Sequence, residues 1–452
     1  MERDYRYVVL NGNHSLHGCK AGGRKHLRCF IVTLLCVGVS IGLYFVFYTK
    51  TLSQQTKSST KTKLLLISID AFRYDLRDKA PTKNLDWIAR HGVSAGYMEN
   101  VFPTVTITNH QSIVTGLYPE HHGLVGNKMF DRKTKEHFTM SNTQAKFWND
   151  AVPIWTENEL QGHKSGVCYF PGYDVKFGGK QATYVPPVGK YLSPLKSEEK
   201  VMPYQQRVEL VVDWLSKPDV NLVVLYFGGL DVLMHAIGPD PVKEKLQKKL
   251  ADEITAMDNF IGVVKDKLLQ ANLTELVNVI IVGDHGQSNT NSTTRVIDLT
   301  RYVDLPKLAY AFGDGHIYAK PGQTQIIYDK LKEAEQKEGH IKIYLKKDIP
   351  DRYHIRDHPR TGDILYVMDE GWSVWLYGTL NRASIKAGYH GYDNQVANMH
   401  PAFLAYGPAF REGYKQDVVR MVDLYELMCH ILGIKPRAND GHIGNVQSML
   451  RS

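Results

Sequence analysis

The sequence predicts an α/β fold with a mostly parallel central sheet and helices on both faces. Two observations support this fold class: short apolar runs recur along the chain, and helical patterns lie between several of them. Alternating strands and helices are typical of parallel sheets, whose ligands lie beyond the carboxyl ends of the strands. The runs short enough for buried strands are residues 64–69, 166–170, 221–227, 276–282, 341–345, 364–368 and 402–406.

Two segments between these runs have the pattern of amphipathic helices. Residues 205–215 place Val208, Val211 and Leu215 on one face, and residues 242–269 form a longer amphipathic segment with patterned charges. Helices of this kind cover the faces of a parallel sheet, which is the arrangement that the fold class requires.

Composition and charge narrow the possible functions. The chain has 452 residues, of which 43% are hydrophobic and 23% charged, which excludes a disordered chain, a collagen-like array and a coiled coil. The net charge of +8 arises in residues 1–63, which contain 10 basic and 2 acidic side chains, whereas the remaining residues are balanced. We therefore expect no nucleic-acid partner for the folded body.

The N-terminal region predicts a membrane anchor. Residues 29–48 carry no charge and are long enough to cross about 30 Å of hydrocarbon as a helix. A cleaved signal peptide is the alternative, but this run ends in aromatic residues rather than small ones. Basic residues before the run indicate a single-pass type II protein of the plasma membrane. The predicted segments are a cytosolic tail at 1–28, a transmembrane signal anchor at 29–48, a stalk at 49–62 and an extracellular domain at 63–452.

Two further features fit an extracellular domain. Asn272 and Asn291 each begin an Asn-Xaa-Thr glycosylation sequon. Only Cys168 and Cys429 lie in the body of the chain, so a disulfide framework is excluded. We expect both to be buried free thiols, and a disulfide bridge between them is the alternative.

Polar residues that can bind a metal follow three of the predicted strands. Asp70, Asp231 and the pair Asp284–His285 each come after an apolar run, and His235 lies four residues after Asp231, on the same helix face. A single aspartate at such a position is commonly a turn or capping residue, but three of them in one sheet suggest a site. Together with His390 in a Gly/Tyr-rich loop, and without a cysteine ligand, the set suits catalytic zinc.

Residues 102–116 contain candidate nucleophiles. Thr104, Thr106 and Thr108 precede or begin a predicted helix that ends at Gly116. The segment is either a turn leading to an ordinary capped helix or a site in which a hydroxyl at the helix N-terminus faces a metal and attacks a phosphoryl group.

These residues, in this order, resemble the ectonucleotide pyrophosphatase/phosphodiesterase family of the alkaline-phosphatase-like superfamily. The resemblance spans residues 63–450 and is closest to the short members, which have only the phosphodiesterase domain. The segments that carry it include SIDAFR, PTVTITNHQSIVTGLYPEHHG, GNKMFD, VGDHGQ, DEGW, GYHGYDN and HPAFLAYGPAF.

The resemblance implies roles for individual residues. Thr106 would be the nucleophile that forms a covalent intermediate, and Asn127 would donate a hydrogen bond to the phosphoryl oxygen. Thr104 and Thr108 would be structural. Two zinc ions per chain are implied, one held by Asp70, Thr106, Asp284 and His285 and the other by Asp231, His235 and His390.

The chain also departs from the family pattern at the substrate side. Ile107 follows the nucleophile where the family commonly has a phenylalanine that stacks on a nucleobase, so half of an aromatic clamp is missing. Tyr191 is the candidate for the other half. An acidic pair commonly precedes the metal-binding aspartate where this chain has Gly228-Gly229-Leu230, which predicts a weaker negative field beside the metals and an altered preference for substrate charge.

The leading hypothesis is an extracellular zinc-dependent phosphodiesterase and pyrophosphatase acting on nucleotides, dinucleotides or related phosphodiesters. The same chemistry on choline phospholipids is the alternative, which the loss of base stacking at Ile107 favours slightly. A catalytically silent receptor or adhesion ectodomain is the alternative from another class. A sulfatase is disfavoured because its Cys/Ser-Xaa-Pro-Xaa-Arg signature is absent from the sequence.

Overall fold

The structure is a computed structural model, and it describes residues 62–187 and 201–451. Strands of this part of the chain build one large and several small sheets. In chain order the strands are β1 Lys63–Ile69, β2 Val93–Glu99, β3 Lys128–Asp131, β4 Glu136–Thr139, β5 Lys164–Cys168, β6 Val220–Phe227, β7 Val277–Val282, β8 Ser288–Asn289, β9 Val296–Asp298, β10 Ala309–Gly313, β11 His316–Ala319, β12 Ile341–Leu345, β13 Ile364–Met368, β14 Ser373–Trp375, β15 Gly388–Tyr389, β16 Phe403–Tyr406 and β17 Tyr414–Arg420.

Helices lie between many of these strands and pack around the large sheet. In chain order the α-helices of the described residues are α1 Lys83–His91, α2 Thr106–Thr115, α3 Pro119–His122, α4 Ala145–Trp148, α5 Ile154–Leu160, α6 Tyr204–Ser216, α7 Gly229–Ile237, α8 Glu244–Gln270, α9 Leu305–Leu308, α10 Thr324–Glu338 and α11 Asp423–Leu432.

The large sheet has seven strands in the order β17-β2-β16-β7-β1-β6-β5. β7, β1, β6 and β5 are parallel neighbours, and only β16 pairs antiparallel with the strands beside it. Every residue of β1, β6 and β7 is buried, because continuous apolar strands in the middle of the sheet are covered on both faces. The predicted α/β class with a mostly parallel sheet is confirmed.

Two predicted strands belong elsewhere. The runs at 341–345 and 364–368 form β12 and β13 of a separate antiparallel sheet in the order β10-β11-β13-β12. This sheet has its own core, which includes Ile317, Ile343 and Ile364. Two edge-side strands of the large sheet, β2 and β17, were not predicted, because polar residues interrupt their apolar pattern. Both runs are strands, as predicted, but they lie outside the mostly parallel central sheet.

The predicted helices are present. The 205–215 pattern corresponds to α6, and the 242–269 pattern corresponds to α8. The segment with the three threonines leads into α2, which begins at Thr106. This helix ends at Gly116, whose φ of 69° is a left-handed conformation that glycine adopts readily.

Several predicted features lie outside the described residues: the cytosolic tail, the anchor at 29–48, all but the last residue of the stalk, and Tyr191. Within residues 62–187 and 201–451 no helix is long and apolar enough to span a bilayer. Cys168 and Cys429 are both buried and free, as the expectation of two buried thiols requires.

Helix α1 obtains its N-terminal cap from a distant helix. Asp258 of α8 is buried, and its carboxylate accepts hydrogen bonds from the backbone N–H groups of Asn84 and Leu85, at 2.8 Å for Leu85. A Cβ atom at Gly262 would lie 2.7 Å from the Asn84 side chain, so a glycine is needed for the two helices to approach this closely. A negative charge at a helix N-terminus is also favoured by the helix dipole.

We expect Asp258→Ala to lower the free energy of unfolding by about 1–3 kcal/mol, because it leaves buried N–H groups of α1 without an acceptor. Urea denaturation of the purified domain measures the change. Asp252→Ala removes an exposed carboxylate of the same helix that pairs with the exposed Lys248, and it should change stability by less than about 0.5 kcal/mol. Equal losses in the two variants would contradict the capping role.

Candidate metal centre

The carboxyl ends of three neighbouring strands meet at one place. In the large sheet β1 lies between β7 and β6 and is parallel to both. Asp70 directly follows β1, Asp284 and His285 follow β7, and Asp231 lies in the first turn of α7, just after β6. The sheet topology therefore brings together residues that are far apart in the chain.

Asp70, Asp284 and His285 form the first group of possible metal ligands, with donor atoms within 4.8 Å of one another. His285 Nε2 lies 3.4 Å from Asp70 Oδ1 and 3.3 Å from Asp284 Oδ2. The two carboxylate oxygens are buried and accept no hydrogen bond from the described residues. Buried charged oxygens without a partner are costly, so this group fits a bound cation.

Asp231, His285 and His390 form the second group, again with donor atoms within 4.8 Å of one another. His390 Nε2 lies 3.7 Å from Asp231 Oδ1, and His235 Nε2 lies 3.4 Å from the same oxygen. The rings of His285 and His390 stack with centroids 3.8 Å apart. Six of the seven predicted ligands therefore lie close together, and His285 lies within reach of both groups rather than of the first alone.

Backbone carbonyls hold the three imidazoles in the orientation that metal binding needs. Each ring uses Nδ1 in a hydrogen bond to a carbonyl oxygen: His235 to Gly388 at 2.7 Å, His390 to Thr104 at 2.9 Å and His285 to Gly286 at 3.0 Å. Each Nε2 is thereby left with a lone pair that faces the carboxylates. Burial lowers the pKa of His390 and of His235, which favours the neutral form that binds metal.

The carboxylates repel one another strongly. Burial raises the pKa of Asp70 well above its ordinary value, and the Asp284 and Asp231 carboxylates raise it further. Burial acts in the same direction on Asp284, but the adjacent His285 and His110 outweigh it and lower the pKa of that carboxyl. A divalent cation among these carboxylates would offset their repulsion.

Thr106 is the first residue of α2 and lies beside the first group. Its Oγ1 is 3.3 Å from His285 Nε2, and its side chain is almost fully buried. Thr104, two residues earlier, donates a hydrogen bond to the carbonyl of Tyr392 and accepts one from the N–H of Gly391. Thr104 therefore ties the start of α2 to the loop that carries His390, which is the structural role expected of it.

Asn127 also lies at the N-terminus of α2. Its Oδ1 accepts a hydrogen bond of 2.8 Å from the backbone N–H of Ile107, which leaves the amide N–H₂ group as its available donor. The Asp314 carboxylate accepts a hydrogen bond from the N–H of Lys128 and so fixes the adjacent turn. The side chain of Ile107 has no exposed surface and belongs to the core, so this conformation does not present it to a substrate.

Two residues that the sequence did not single out contact the candidate ligands directly. Tyr226 donates a hydrogen bond of 2.5 Å to Asp70 Oδ2, and Gln287 donates one of 2.5 Å to Asp231 Oδ1. Tyr226 is the penultimate residue of a buried strand, where an aromatic residue is expected to pack in the core. No sequence pattern distinguishes Tyr226 from its apolar neighbours, whereas Gln287 is the last residue of the VGDHGQ segment and follows the Asp284–His285 pair by two positions.

His110 is a third residue of this kind, and its spacing was a usable signal. It follows Thr106 by four residues and therefore lies on the same face of α2. Its Nδ1 lies 3.2 Å from Asp284 Oδ2, and its Nε2 lies 2.8 Å from Ser68 Oγ. His110 Nδ1 also lies 2.8 Å from the Thr106 carbonyl, its hydrogen-bond partner, so its contact with Asp284 is one of proximity rather than a hydrogen bond.

A cavity of about 780 Å³ opens beside Asp70, Thr106 and Asp231. A second groove of about 810 Å³ shares His235 and Lys386 with it. Apolar and aromatic residues form much of the wall of the first cavity, including Met140, Val201, Met202, Pro203, Tyr204 and Val232. The site therefore has room for a substrate larger than one phosphate group.

The sequon asparagines are accessible. Asn272 follows α8 and Asn291 lies in a turn between β8 and β9, and both are exposed. Asn291 also lines the groove that contains Lys386. Their exposure meets the geometric requirement for glycosylation.

Comparison with known proteins identifies the family. The family model described as type I phosphodiesterase / nucleotide pyrophosphatase matches residues 64–393. The chain belongs to this family. The predicted resemblance is confirmed.

Individual relatives agree with the assignment. The human bis(5'-adenosyl)-triphosphatase ENPP4 is 38% identical over 403 residues, which cover 87% of this chain and 83% of the relative. The Xenopus laevis ENPP4 is 35% identical over 429 residues, which cover 94% and 87%. An inactive variant of murine ENPP5 in complex with AMP superimposes with a TM-score of 0.78 at 34% identity, covering 86% of this chain and 100% of that chain. The protein is therefore a hydrolase with the alkaline-phosphatase-like fold.

We expect a metal chelator to lower the melting temperature of the domain by on the order of 5 °C per ion. A ligand at 100 times its Kd contributes about 2.7 kcal/mol, and in a large domain each kcal/mol shifts Tm by roughly 2 °C. Differential scanning calorimetry with and without EDTA measures the effect, and added Zn²⁺ should reverse it. The Asp70→Asn, Asp284→Asn double variant should lose about half of the response, because the ligand group of Asp231, His235 and His390 remains intact. An identical wild-type Tm with and without EDTA would contradict a metal centre.

Proposed function

We propose that residues 63–452 form an extracellular, zinc-dependent phosphodiesterase and pyrophosphatase that acts through a covalent threonyl intermediate. One observation carries the proposal: the hydroxyl of Thr106 lies at a helix N-terminus, 3.3 Å from His285, the residue common to both ligand groups. A hydroxyl in that position is suited to attack a phosphoryl group.

Two Zn²⁺ ions are the cofactors that the donor set fits. Its donors are carboxylate oxygens, imidazole Nε2 atoms and one hydroxyl, a combination typical of catalytic zinc. Bound ions would supply Lewis-acid stabilisation of the charge that develops on the attacking and leaving oxygens. We assign Asp70, Thr106, Asp284 and His285 to one ion and Asp231, His235 and His390 to the other.

The reaction that we propose begins at Thr106. Its Oγ1 bonds to phosphorus while the bond between phosphorus and the leaving-group oxygen breaks, and the hydroxyl proton is released to solvent. A water molecule then attacks the same phosphorus, the bond to Oγ1 breaks, and the threonine hydroxyl is restored. The net result is hydrolysis of one phosphodiester or phosphoanhydride bond.

Neighbouring groups hold the phosphoryl group during both displacements. The N-terminus of α2 favours an anion, because the helix dipole places partial positive charge there. The side-chain amide of Asn127 is oriented by its bond to the Ile107 N–H and offers its own N–H₂ group to a phosphoryl oxygen. Both interactions strengthen as negative charge builds on that oxygen.

The substrates that we propose are nucleotides and dinucleotides. Relatives named as bis(5'-adenosyl)-triphosphatases and the AMP complex of murine ENPP5 support this class. Lys386 borders both cavities, and Lys243 lines the second, which favours an anionic leaving group over the cationic headgroup of a choline phospholipid. A Lys386 ammonium beside His235 also lowers the pKa of that histidine, in keeping with its proximity to the centre.

The proposed setting is the outer face of the plasma membrane. The apolar run at 29–48 would anchor the chain with its N-terminus in the cytosol, and 49–62 would be the stalk. The exposure of Asn272 and Asn291 is compatible with glycosylation on that side. Intact cells that express the protein should then hydrolyse substrate added to the medium.

We expect Thr106→Ala to lower kcat by on the order of 10³-fold or more while most of the bound zinc is retained, because it deletes the nucleophile but only one oxygen ligand. Steady-state kinetics on a nucleotide diester, with metal content determined on the same folded protein, measures both quantities.

Thr108→Val is the matched control for this variant. Thr108 lies in the same helix, and its buried hydroxyl has no hydrogen-bond partner among the described residues. Its replacement should leave kcat within about twofold of wild type. Similar losses of kcat in the two variants would show that Thr106 is not the nucleophile.

We expect Lys386→Gln to raise KM about two- to fivefold for a substrate whose leaving group carries phosphate charge, because an exposed ion pair contributes up to about 1 kcal/mol. A nitrophenyl ester of thymidine monophosphate, whose leaving group lacks phosphate, should be unaffected. Lys248→Gln on the exposed face of α8 is the control. A better turnover of choline phosphodiesters than of either nucleotide would favour the alternative substrate class.

A further inference from the structure

Gln287 is fully buried next to the candidate metal centre. It follows Gly286 in the segment between β7 and β8, and none of its side chain is exposed. Its Nε2 donates a hydrogen bond of 2.5 Å to Asp231 Oδ1 and a weaker one of 3.3 Å to the Asp231 carbonyl. Its Oε1 accepts no hydrogen bond from the described residues. Both hydrogen bonds that the Gln287 amide donates therefore go to Asp231.

The oxygen that Gln287 contacts is the one that faces the imidazoles. Asp231 Oδ1 lies 3.4 Å from His235 Nε2 and 3.7 Å from His390 Nε2. A neutral amide donor occupies one lone pair of that oxygen and leaves the rest of the carboxylate for a cation. It also restricts rotation of the Asp231 side chain, which no other side chain described here fixes by a hydrogen bond.

Gln287 is itself held on two sides. The backbone carbonyl oxygen of Gln287 accepts a hydrogen bond of 2.8 Å from Nη1 of the buried Arg73. Arg73 also pairs with Asp75 and Asp240. On the other side the amide packs against β15, where a Cβ atom at Gly388 would lie 2.8 Å from Gln287 Oε1. The amide therefore packs against the strand whose Gly388 carbonyl orients His235.

We propose that Gln287 is a positioning residue that orients Asp231 as a metal ligand, an inference that rests on the proposed zinc centre. Hydrogen bonds to ligating carboxylates typically change metal affinity 10- to 100-fold when they are lost. Removal of the Gln287 donor should therefore weaken one ion, the one bound by Asp231, His235 and His390, and leave the other unchanged.

Metal titration of the chelator-treated protein tests the inference. Zn²⁺ is titrated in competition with a chromophoric chelator, and Co²⁺ is titrated by its visible absorption. Wild type should bind two ions. Gln287→Met keeps the length of the side chain without a donor, and it should bind one ion 10- to 100-fold more weakly. Gln287→Asn retains the amide but is too short to reach Asp231, and it should give the same result with different packing.

Gln111→Met is the matched control. Gln111 is also a buried glutamine, and neither atom of its amide has a hydrogen-bond partner among the described residues. Its replacement removes an amide of the same size without touching Asp231. Both ions should bind this variant as tightly as wild type.

Each outcome decides a separate claim. Unchanged affinities in both Gln287 variants, with or without a lower Tm, would show that the residue only packs and would overturn the inference. A wild-type protein that binds one ion would contradict the proposed two-ion centre but not the inference, which then depends on whether Gln287→Met weakens that ion. Wild-type protein that binds no ion would overturn both.

Discussion

The site depends on one constraint, which is that two carboxylates are buried next to each other and repel one another. Asp70 and Asp284 follow adjacent parallel strands, so the order of β7 and β1 in the sheet fixes how close they lie. One oxygen of each lacks a hydrogen-bond partner among the described residues. The backbone N–H of Ala71 and the hydroxyl of Tyr226 satisfy the remaining oxygens. A cation between the two carboxylates would offset the repulsion that the sheet creates.

Remote loops complete the arrangement. The imidazoles of His235 and His390 are oriented by carbonyl groups of Gly388 and Thr104, which lie in segments far apart in the chain. The Thr104 hydroxyl bonds to the loop after His390, so the start of α2 and the histidine loop are held as one unit. Thr106, at the start of α2, is therefore positioned by the same hydrogen bonds. The nucleophile and the ligands are therefore positioned by the same few hydrogen bonds.

Much of this could be predicted from the sequence, and the rest depends on packing. Continuous apolar runs identified β1 and β7, and aspartates after them marked the site. β17 was missed because it is an edge strand in which half-buried and exposed residues alternate and only Val419 is buried. Ile107 was expected at the substrate, yet a helical residue points about 100° away from its predecessor, which turns Ile107 into the core when Thr106 faces the site. Gln287 belongs to the VGDHGQ segment, but its hydrogen bond to Asp231 could not be predicted, because that contact joins residues 56 positions apart.

X-ray diffraction recorded on both sides of the zinc absorption edge tests the central claim most directly. Crystals of the zinc-loaded domain should give two anomalous difference peaks per chain, one among Asp70, Asp284 and His285 and the other beside Asp231 and His390. A soaked, non-hydrolysable nucleotide analogue should place its phosphorus near Thr106 Oγ1. Absence of zinc peaks from this cluster, or an analogue whose phosphorus lies away from Thr106, would contradict the account.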